Sequence, residues 1–453
     1  MGKSKFDRAA LGLIAFLAVM FVALWIGSQA AGLPMPTLNN TENLSGIKGP
    51  LVVQFSVPII PETLSGRLSL EPALPYTVRW SNRQTLLIYP EGVFPASTTL
   101  RVVIAPGVSG EDGRTLKRDT SLRVQVREPQ VIYLGSSTTG PEIWRSAADG
   151  KNPVQLTNSG GKVFDFGSAA DGESIAYAQL NDEKGMDLWI ISRNGEGARM
   201  LIKCGKDRCI NPAFSPDGQR LAYSRRPASL TANNMPGSPR IWLLDLTTGQ
   251  TVPLYTDPDI KGFSHTWSPD GSRLAFYDGL AGGIRITSFA GKDDILVSTT
   301  QGSVGSWSPD SQEMVFVDGI LLESGQMISK LFALNLEEKT IRGLVENDLD
   351  QSDYSPPDWS QNGRDLAVGM RPGGTSESRQ VWIISLDGAQ ALQVTKEGQY
   401  THGGIRWDPG GKWVVFQRYA LSTPNAKPEV MAFLPDLGLV KIAEDAALPA
   451  WLP

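Results

Sequence analysis

Few residues in this chain of 453 have the types and spacing that chemistry needs. The histidines are His265 and His402, the cysteines are Cys204 and Cys209, and one acidic run reads Asp348-Leu-Asp350-Gln-Ser-Asp353. Paired imidazoles can ligate a transition metal, and clustered carboxylates can hold calcium through hard oxygens. Two unpatterned histidines are more often polar loop residues, however, and an acidic run between strands is ordinarily a solvated loop. The cysteines, with four residues between them, suit a disulfide closing a short loop in an oxidising compartment. Free thiols come next, and a zinc site last, because two Cys without a nearby His fall short of four ligands. No Gly-x-Ser-x-Gly elbow, Gly-rich phosphate loop or His-Glu-x-x-His pattern occurs. The expectation is a chain with no catalytic residues, no metal site and no cofactor, acting by binding.

The elements that would position such residues are far more legible, because the chain repeats itself. Phe214-Ser-Pro-Asp217-Gly, Trp267-Ser-Pro-Asp270-Gly and Trp307-Ser-Pro-Asp310-Ser each lead into an apolar run, with looser copies at Ser168 to Asp171, Trp359 to Asn362 and Trp407 to Gly410. At the Asp position successive copies lie 46, 53, 40, 52 and 48 residues apart, a period of roughly one four-stranded propeller blade. Each copy reads as strand, tight turn, strand: Pro presets the first turn angle, Asp accepts local backbone hydrogen bonds, and Gly takes the left-handed position. The aromatic before each turn is expected between neighbouring sheets, as packing in preference to a sugar or base platform.

A second phrase, such as Leu188-Trp189-Ile-Ile or Val381-Trp382-Ile-Ile, follows each turn and occurs seven times, whereas only six copies of the first phrase carry a turn. The chain ends Ala447-Leu-Pro-Ala-Trp451-Leu-Pro453, which matches Pro212-Ala-Phe214. Residues 447–453 are therefore expected to pair with Val131-Ile-Tyr-Leu134 and clasp a closed seven-bladed ring without open edges. These features resemble the TolB-like, WD-repeat-like β-propellers with a Trp-Ser-Pro-Asp-Gly signature, over about residues 130–453. The chain departs from TolB itself in reading as seven blades instead of six. The resemblance implies a protein- or peptide-binding module. Some members of that group cleave pectic sugars with a His-rich metal site, and some precede a serine peptidase domain, a half not expected here.

Ahead of the repeats, Gly49 to about Val126 alternates apolar and polar residues in about six short segments, which suits a small β-sandwich. The phrases Val53-Gln-Phe-Ser56, Phe94-Pro-Ala-Ser-Thr-Thr99 and Gly110-Glu-Asp-Gly113 resemble the SbsA-type bacterial Ig-like domain, which implies a spacer or adhesive module. Before it, Lys3, Lys5 and Arg8 precede an uncharged apolar stretch from Ala9. That stretch predicts a transmembrane anchor with its amino terminus inside, in preference to a cleaved signal peptide ending near Ser28-Gln-Ala30. The expected order is a cytoplasmic tail (1–8), a transmembrane helix (9–31), a linker (32–48), an Ig-like β-sandwich (49–128) and an all-β propeller (129–453). The expected location is the cell membrane, single-pass, with the bulk of the chain extracytoplasmic.

Blade topology places the short turns on one face and the long connections on the other, and binding concentrates on loops held by a rigid scaffold. The long-loop face is therefore the expected partner surface, represented by Arg225, Arg226, Asn233, Asn234, Tyr255, Asp257, His265, Asp350, Tyr354, Arg371, Tyr400 and His402. A net charge of −5 gives no electrostatic footprint for nucleic acid. The expected function is a membrane-anchored module presenting a protein- or peptide-binding propeller on an Ig-like spacer. Competing readings are a polysaccharide-binding or cell-envelope scaffold, and a metal-dependent polysaccharide lyase or hydrolase in which His265 and His402 converge with a third ligand.

Overall fold

The computed structural model describes residues 35–38, 44–45, 48–229, 236–291, 294–323, 325–344, 352–372, 378–386, 390–423 and 425–453. They fall into two units: Pro50–Glu91 with Ser97–Val126 belong to the first, and Arg127–Pro453 with Gly46–Gly49 and Gly92–Ala96 to the second.

In the first unit, period-two patterning puts one side of each strand into a core. Leu51, Val53 and Phe55 are buried, while Val52 and Gln54 between them are partly exposed. Leu100, Val102 and Ile104 repeat the pattern in a strand of the other sheet. Two four-stranded sheets result. One is ordered Pro36–Leu38, Leu51–Phe55, Thr85–Pro90, Tyr76–Asn82, and the other Leu44–Ser45, Thr120–Val126, Thr99–Ile104, Leu68–Glu71.

In the second unit the repeated phrase makes the same local structure each time. Ser215 Oγ donates to Asp217 and to the Arg220 carbonyl, and accepts the Arg220 N–H at 2.9 Å, bridging strand to strand across the turn. Ser268 does likewise, and Ser308 donates to Asp310 and accepts the Glu313 N–H, in the next two copies. The turn needs a left-handed residue: Gly271 supplies it at φ +71°, and Ser311 adopts φ +64° where the glycine is missing.

Each turn joins an inner strand to the second strand of a blade. The second unit has five sheets of four or five strands and one eight-stranded sheet, which is two blades joined by the single bridge Met186 to Arg208. Seven blades follow, with inner strands Ala446–Leu452, Val163–Ser168, Arg208–Phe214, Gly262–Trp267, Ser306–Trp307, Asp358–Trp359 and Tyr400–Trp407. The first blade mixes the two ends of the unit, because Ala446–Leu452 pairs antiparallel with Gln130–Ser136 and sets Trp451 opposite Val131.

Apolar clusters lie between successive blades, with the aromatic of the phrase in each of several. Trp267 packs with Leu274, Phe276 and Ala222, Trp307 with Met314 and Ala275, and Trp359 with Leu366 and Val315. Trp451 packs with Val131, Val415 and Val430, so the seventh blade rests on the first.

The expected fold class is corrected at its helical member. Among the described residues no helix is long and apolar enough to cross a membrane, and single-pass anchoring with an extracytoplasmic bulk is withdrawn as a finding. The described chain distributes its apolar residues along alternating strands instead of a continuous run. The segment 9–31 on which the anchor was read lies outside the described residues.

Candidate functional site

One position recurs in every inner strand, the residue just before the aromatic of the phrase. Going round the blades from the second, that position holds Gly167, Ala213, Thr266, Ser306, Asp358 and Arg406, with Ala450 on the carboxy-terminal strand. Several of these side chains staple neighbouring blades. Ser306 Oγ accepts the Trp359 N–H at 2.9 Å, and Asp358 accepts the Trp407 N–H at 2.7 Å.

A cavity of about 440 Å³ is lined by residues of the fourth to seventh blades and their turns. Trp267, Trp307, Trp359 and Trp407 line it together with His265, Asp358, Arg406, Asp408 and, from far earlier in the chain, Lys48. The walls are anchored: Trp267 Nε1 donates to the Ala213 carbonyl at 3.0 Å, and Asp408 takes the N–H groups of Gly410, Lys412 and Trp413. Burial pushes the Asp358 carboxyl above its ordinary range, opposed by Arg406, the Trp407 N–H and Lys48. Burial also pushes Asp408 up, against its three backbone hydrogen bonds and the Lys412 ammonium. The same desolvation lowers the Lys48 ammonium, while Asp358 and Asp408 raise it. Burial lowers His265 to about 4, opposed by the backbone of Ala222 and Asn211.

Of the twelve residues expected on the long-loop face, His265 alone lines this cavity. Arg371, Tyr400 and His402 are brought into one network between the sixth and seventh blades. Arg371 and Arg379 both pair with buried Asp353, at 3.0 and 2.8 Å, and the Arg379 carbonyl meets His402 Nδ1 at 3.0 Å. Glu397 lies 3.7 Å from His402 Nε2 and pairs with Arg418, whose guanidinium stacks 4.1 Å over Tyr400. These charges are matched within the network, which fixes the loops and leaves little unsatisfied for a ligand.

The remaining residues are dispersed. Arg225 pairs with Asp207 at 2.8 Å and covers Trp242, and Arg226 donates to the Gly237 carbonyl. The Tyr255 hydroxyl bonds Thr287 and Asp294, and the Asp257 carbonyl accepts from Arg240. Tyr354 is corrected from the surface to the core, buried between the fifth and sixth blades with Trp359 and Met370. Asn233, Asn234 and Asp350 lie outside the described residues. Cys204 and Cys209 are joined by a disulfide. Among the described residues no three His, Cys, Asp or Glu side chains group so as to hold a metal ion, so the third ligand that the lyase reading required for His265 and His402 is not found there.

Residues 128–319 match the family model of the TolB β-propeller domain, PD40. The propeller is TolB-like. Among solved structures, TolB from Acinetobacter baumannii is 17% identical with a TM-score of 0.42, over 72% of this chain and 83% of its own. A prolyl endopeptidase is 13% identical with a TM-score of 0.51, over 84% of this chain and 50% of its own. At such identities the likeness concerns the fold alone. A curated relative is "Uncharacterized peptidase YuxL" of Bacillus subtilis, 25% identical over 224 residues, or 48% of this chain. The match spans 30% of that relative's length. A chain whose relative is named a peptidase is no longer read as non-enzymatic, and that expectation is corrected here.

Lys48, Asp358, Arg406 and Asp408 escaped the sequence reading, which followed loop length. Their signal was departure from the repeat: Asp358 and Arg406 are charged where other copies carry small or hydroxyl residues, and Asp408 stands where four other copies have Ser. Nothing local marks Lys48.

Proposed function

We propose that the TolB-like propeller is a protein- or peptide-binding module whose recognition site is the aromatic-walled cavity lined by its fourth to seventh blades. The cavity carries the reading. Its volume of about 440 Å³ admits a few side chains, so the partner enters as an extended segment or loop instead of a globular face. Its walls are tied by hydrogen bonds between blades, so little ordering has to be offset on binding. It offers apolar surface together with charge of both signs, which suits a polypeptide. The two sheets of the first unit support its reading as an SbsA-type Ig-like spacer, which belongs to the same proposal.

The test selects unstructured peptides from a random library on the full chain and titrates them calorimetrically. Gln361, a turn residue lining the cavity, is replaced in a Gln361→Trp variant that fills the opening. Selected peptides should bind that variant at least tenfold more weakly. Peptides that bind both proteins equally would move recognition to another face, such as the long-loop one.

A second reading, a peptidase-like role, is supported by the name of the Bacillus relative. Incubation of the full chain with fluorogenic peptides checks it: no cleavage above that of a heat-unfolded control would remove it.

A further inference from the structure

The side chain of Arg406 has no task in joining the blades. Its carbonyl accepts the Trp451 indole N–H at 3.2 Å, and in the third blade the carbonyl of Ala213, at the same position of the phrase, accepts the Trp267 indole N–H at 3.0 Å. That staple is made by backbone, and a methyl group serves it as well as a guanidinium. Arg406 is nevertheless exposed and lines the cavity. Among the described residues its guanidinium donates to the neighbouring Ile405 carbonyl, at 2.9 Å, which leaves most of its N–H donors uncommitted.

The charges around the cavity favour an incoming anion. Asp408 stands in for the turn carboxylate missing at Gly410: its oxygens accept the N–H groups of Gly410, Lys412 and Trp413, and the Lys412 ammonium answers its charge. Asp358 accepts the Trp407 N–H at 2.7 Å and has both Arg406 and Lys48 drawn to it. His265, lowered to about 4, is neutral at physiological pH. Arg406, Lys48 and Lys412 thus stand against Asp358 and Asp408 alone. Burial lowers the Lys48 ammonium by more than the two carboxylates restore, so a further negative charge in the cavity is stabilised there.

We propose that the cavity receives a carboxylate carried by an extended polypeptide, and that Arg406 is the residue that takes it. A guanidinium presents coplanar N–H donors that match both oxygens of a carboxylate. The indole and proline rings that share the lining, among them Trp307, Pro357 and Pro409, lower the local dielectric and strengthen such a pair. This inference rests on the peptide-binding reading above and adds to it the class of group that is recognised. An Asp or Glu side chain and a chain terminus offer the guanidinium the same chemistry, and the probes separate them.

The probes are three libraries of random peptides of equal length, without Asp or Glu at the random positions. One fixes Glu at its centre and has an amidated carboxy terminus, one has Gln there with the same amide, and one has Gln with a free terminus. Each is screened on the full chain, and the best binders are titrated calorimetrically into wild type and an Arg406→Gln variant. Binders that carry a carboxylate should lose about tenfold when it is converted to the amide, and the same factor on Arg406→Gln, which should bind acid and amide alike. The library that yields them, central Glu or free terminus, tells side chain from chain end. Equal binding of acid and amide to wild type, or a preference for the acid that survives Arg406→Gln, overturns the proposal. Should the variant fail to fold, phenylglyoxal labelling of the wild-type chain decides: by mass spectrometry Arg406 should be protected by the acid peptide and not by its amide, and equal labelling refutes the assignment. If library peptides bind and Gln361→Trp blocks them while the carboxylate is irrelevant, only this inference falls. If no peptide binds the full chain, the functional reading falls with it.

Discussion

Asp165 and His265 are buried ionisable groups with opposite effects on stability. Asp165 accepts the Asn211 N–H at 2.8 Å, and desolvation raises its pKa to about 7 against the backbone of Asn211 and Ala178. A carboxyl raised in this way contributes stability below its unfolded value of 3.8 and loses it as pH climbs through about 7. His265 is lowered from 6.5 to about 4, so its contribution is complete above 6.5 and lost as pH falls through about 4. Between those limits the two trends oppose each other. Asp165→Asn keeps the acceptor and removes the charge. It is expected to stabilise the protein at pH 8 by at most about 4 kcal/mol, the equivalent of roughly three pKa units, and to change little near pH 4. Urea unfolding at the two pH values measures this; an equal effect at both would show that Asp165 does not titrate in the folded chain.

At the scale of the element, the turn of the repeat is held by a serine acting across five residues. Ser308 Oγ donates to Asp310 at 2.6 Å and accepts the N–H groups of Gln312 and Glu313 at 3.1 and 2.8 Å, in a buried setting. Ser308→Ala leaves the Glu313 N–H short of a partner, while the Gln312 N–H keeps the Asp310 carboxylate at 3.0 Å, and should cost about 1 to 3 kcal/mol. Chemical denaturation gives the number, and a change below a few tenths would mean that water replaces the hydroxyl. Such contacts span a handful of residues, so turns and flanking strands could be read from sequence. Elements without the repeat could not. Glu313–Leu321 and Met327–Asn335 continue as nine-residue strands with Gly319 opposite Ser329, across a stretch that carries no copy of the phrase. Tyr354 was misplaced for a related reason. Pro356 and Pro357 follow it in the chain, the inner strand of its blade appears as two short pieces, Asp353–Tyr354 and Asp358–Trp359, and the alternation that would mark Tyr354 as core is lost.

For the whole propeller, the pairing that matters most joins residues more than 300 apart in sequence. Ala446–Leu452 pairs with Gln130–Ser136, Trp451 is buried beneath Val415 and Val430, and the Pro453 carbonyl accepts from Arg193 at 3.1 Å. Deleting residues 446–453 exposes the edge of Gln130–Ser136 and removes five buried residues, Ala446, Pro449, Trp451, Leu452 and Pro453, from the packing around them. Burying a large apolar side chain is worth roughly 1.5 to 3 kcal/mol, so the loss should reach several kcal/mol. Thermal unfolding should move to lower temperature, with hydrogen exchange rising in Gln130–Ser136 and Val414–Ala420. Protection unchanged in both strands would show that the seventh blade stands without the carboxy-terminal strand.

Amino-acid order alone determined the repeat, its turn chemistry, the aromatic between blades and the likeness of residues 447–453 to an inner strand, because each depends on bonds or packing within one blade's length. Only tertiary structure decided which side chains meet in the cavity. Lys48, Asp358 and Asp408 are separated by some 50 to 360 positions, and nothing in their neighbourhoods sets their distance. Electrostatic coupling acts through space between groups that a shared low-dielectric cavity collects, and it arises after the blades have assembled around it.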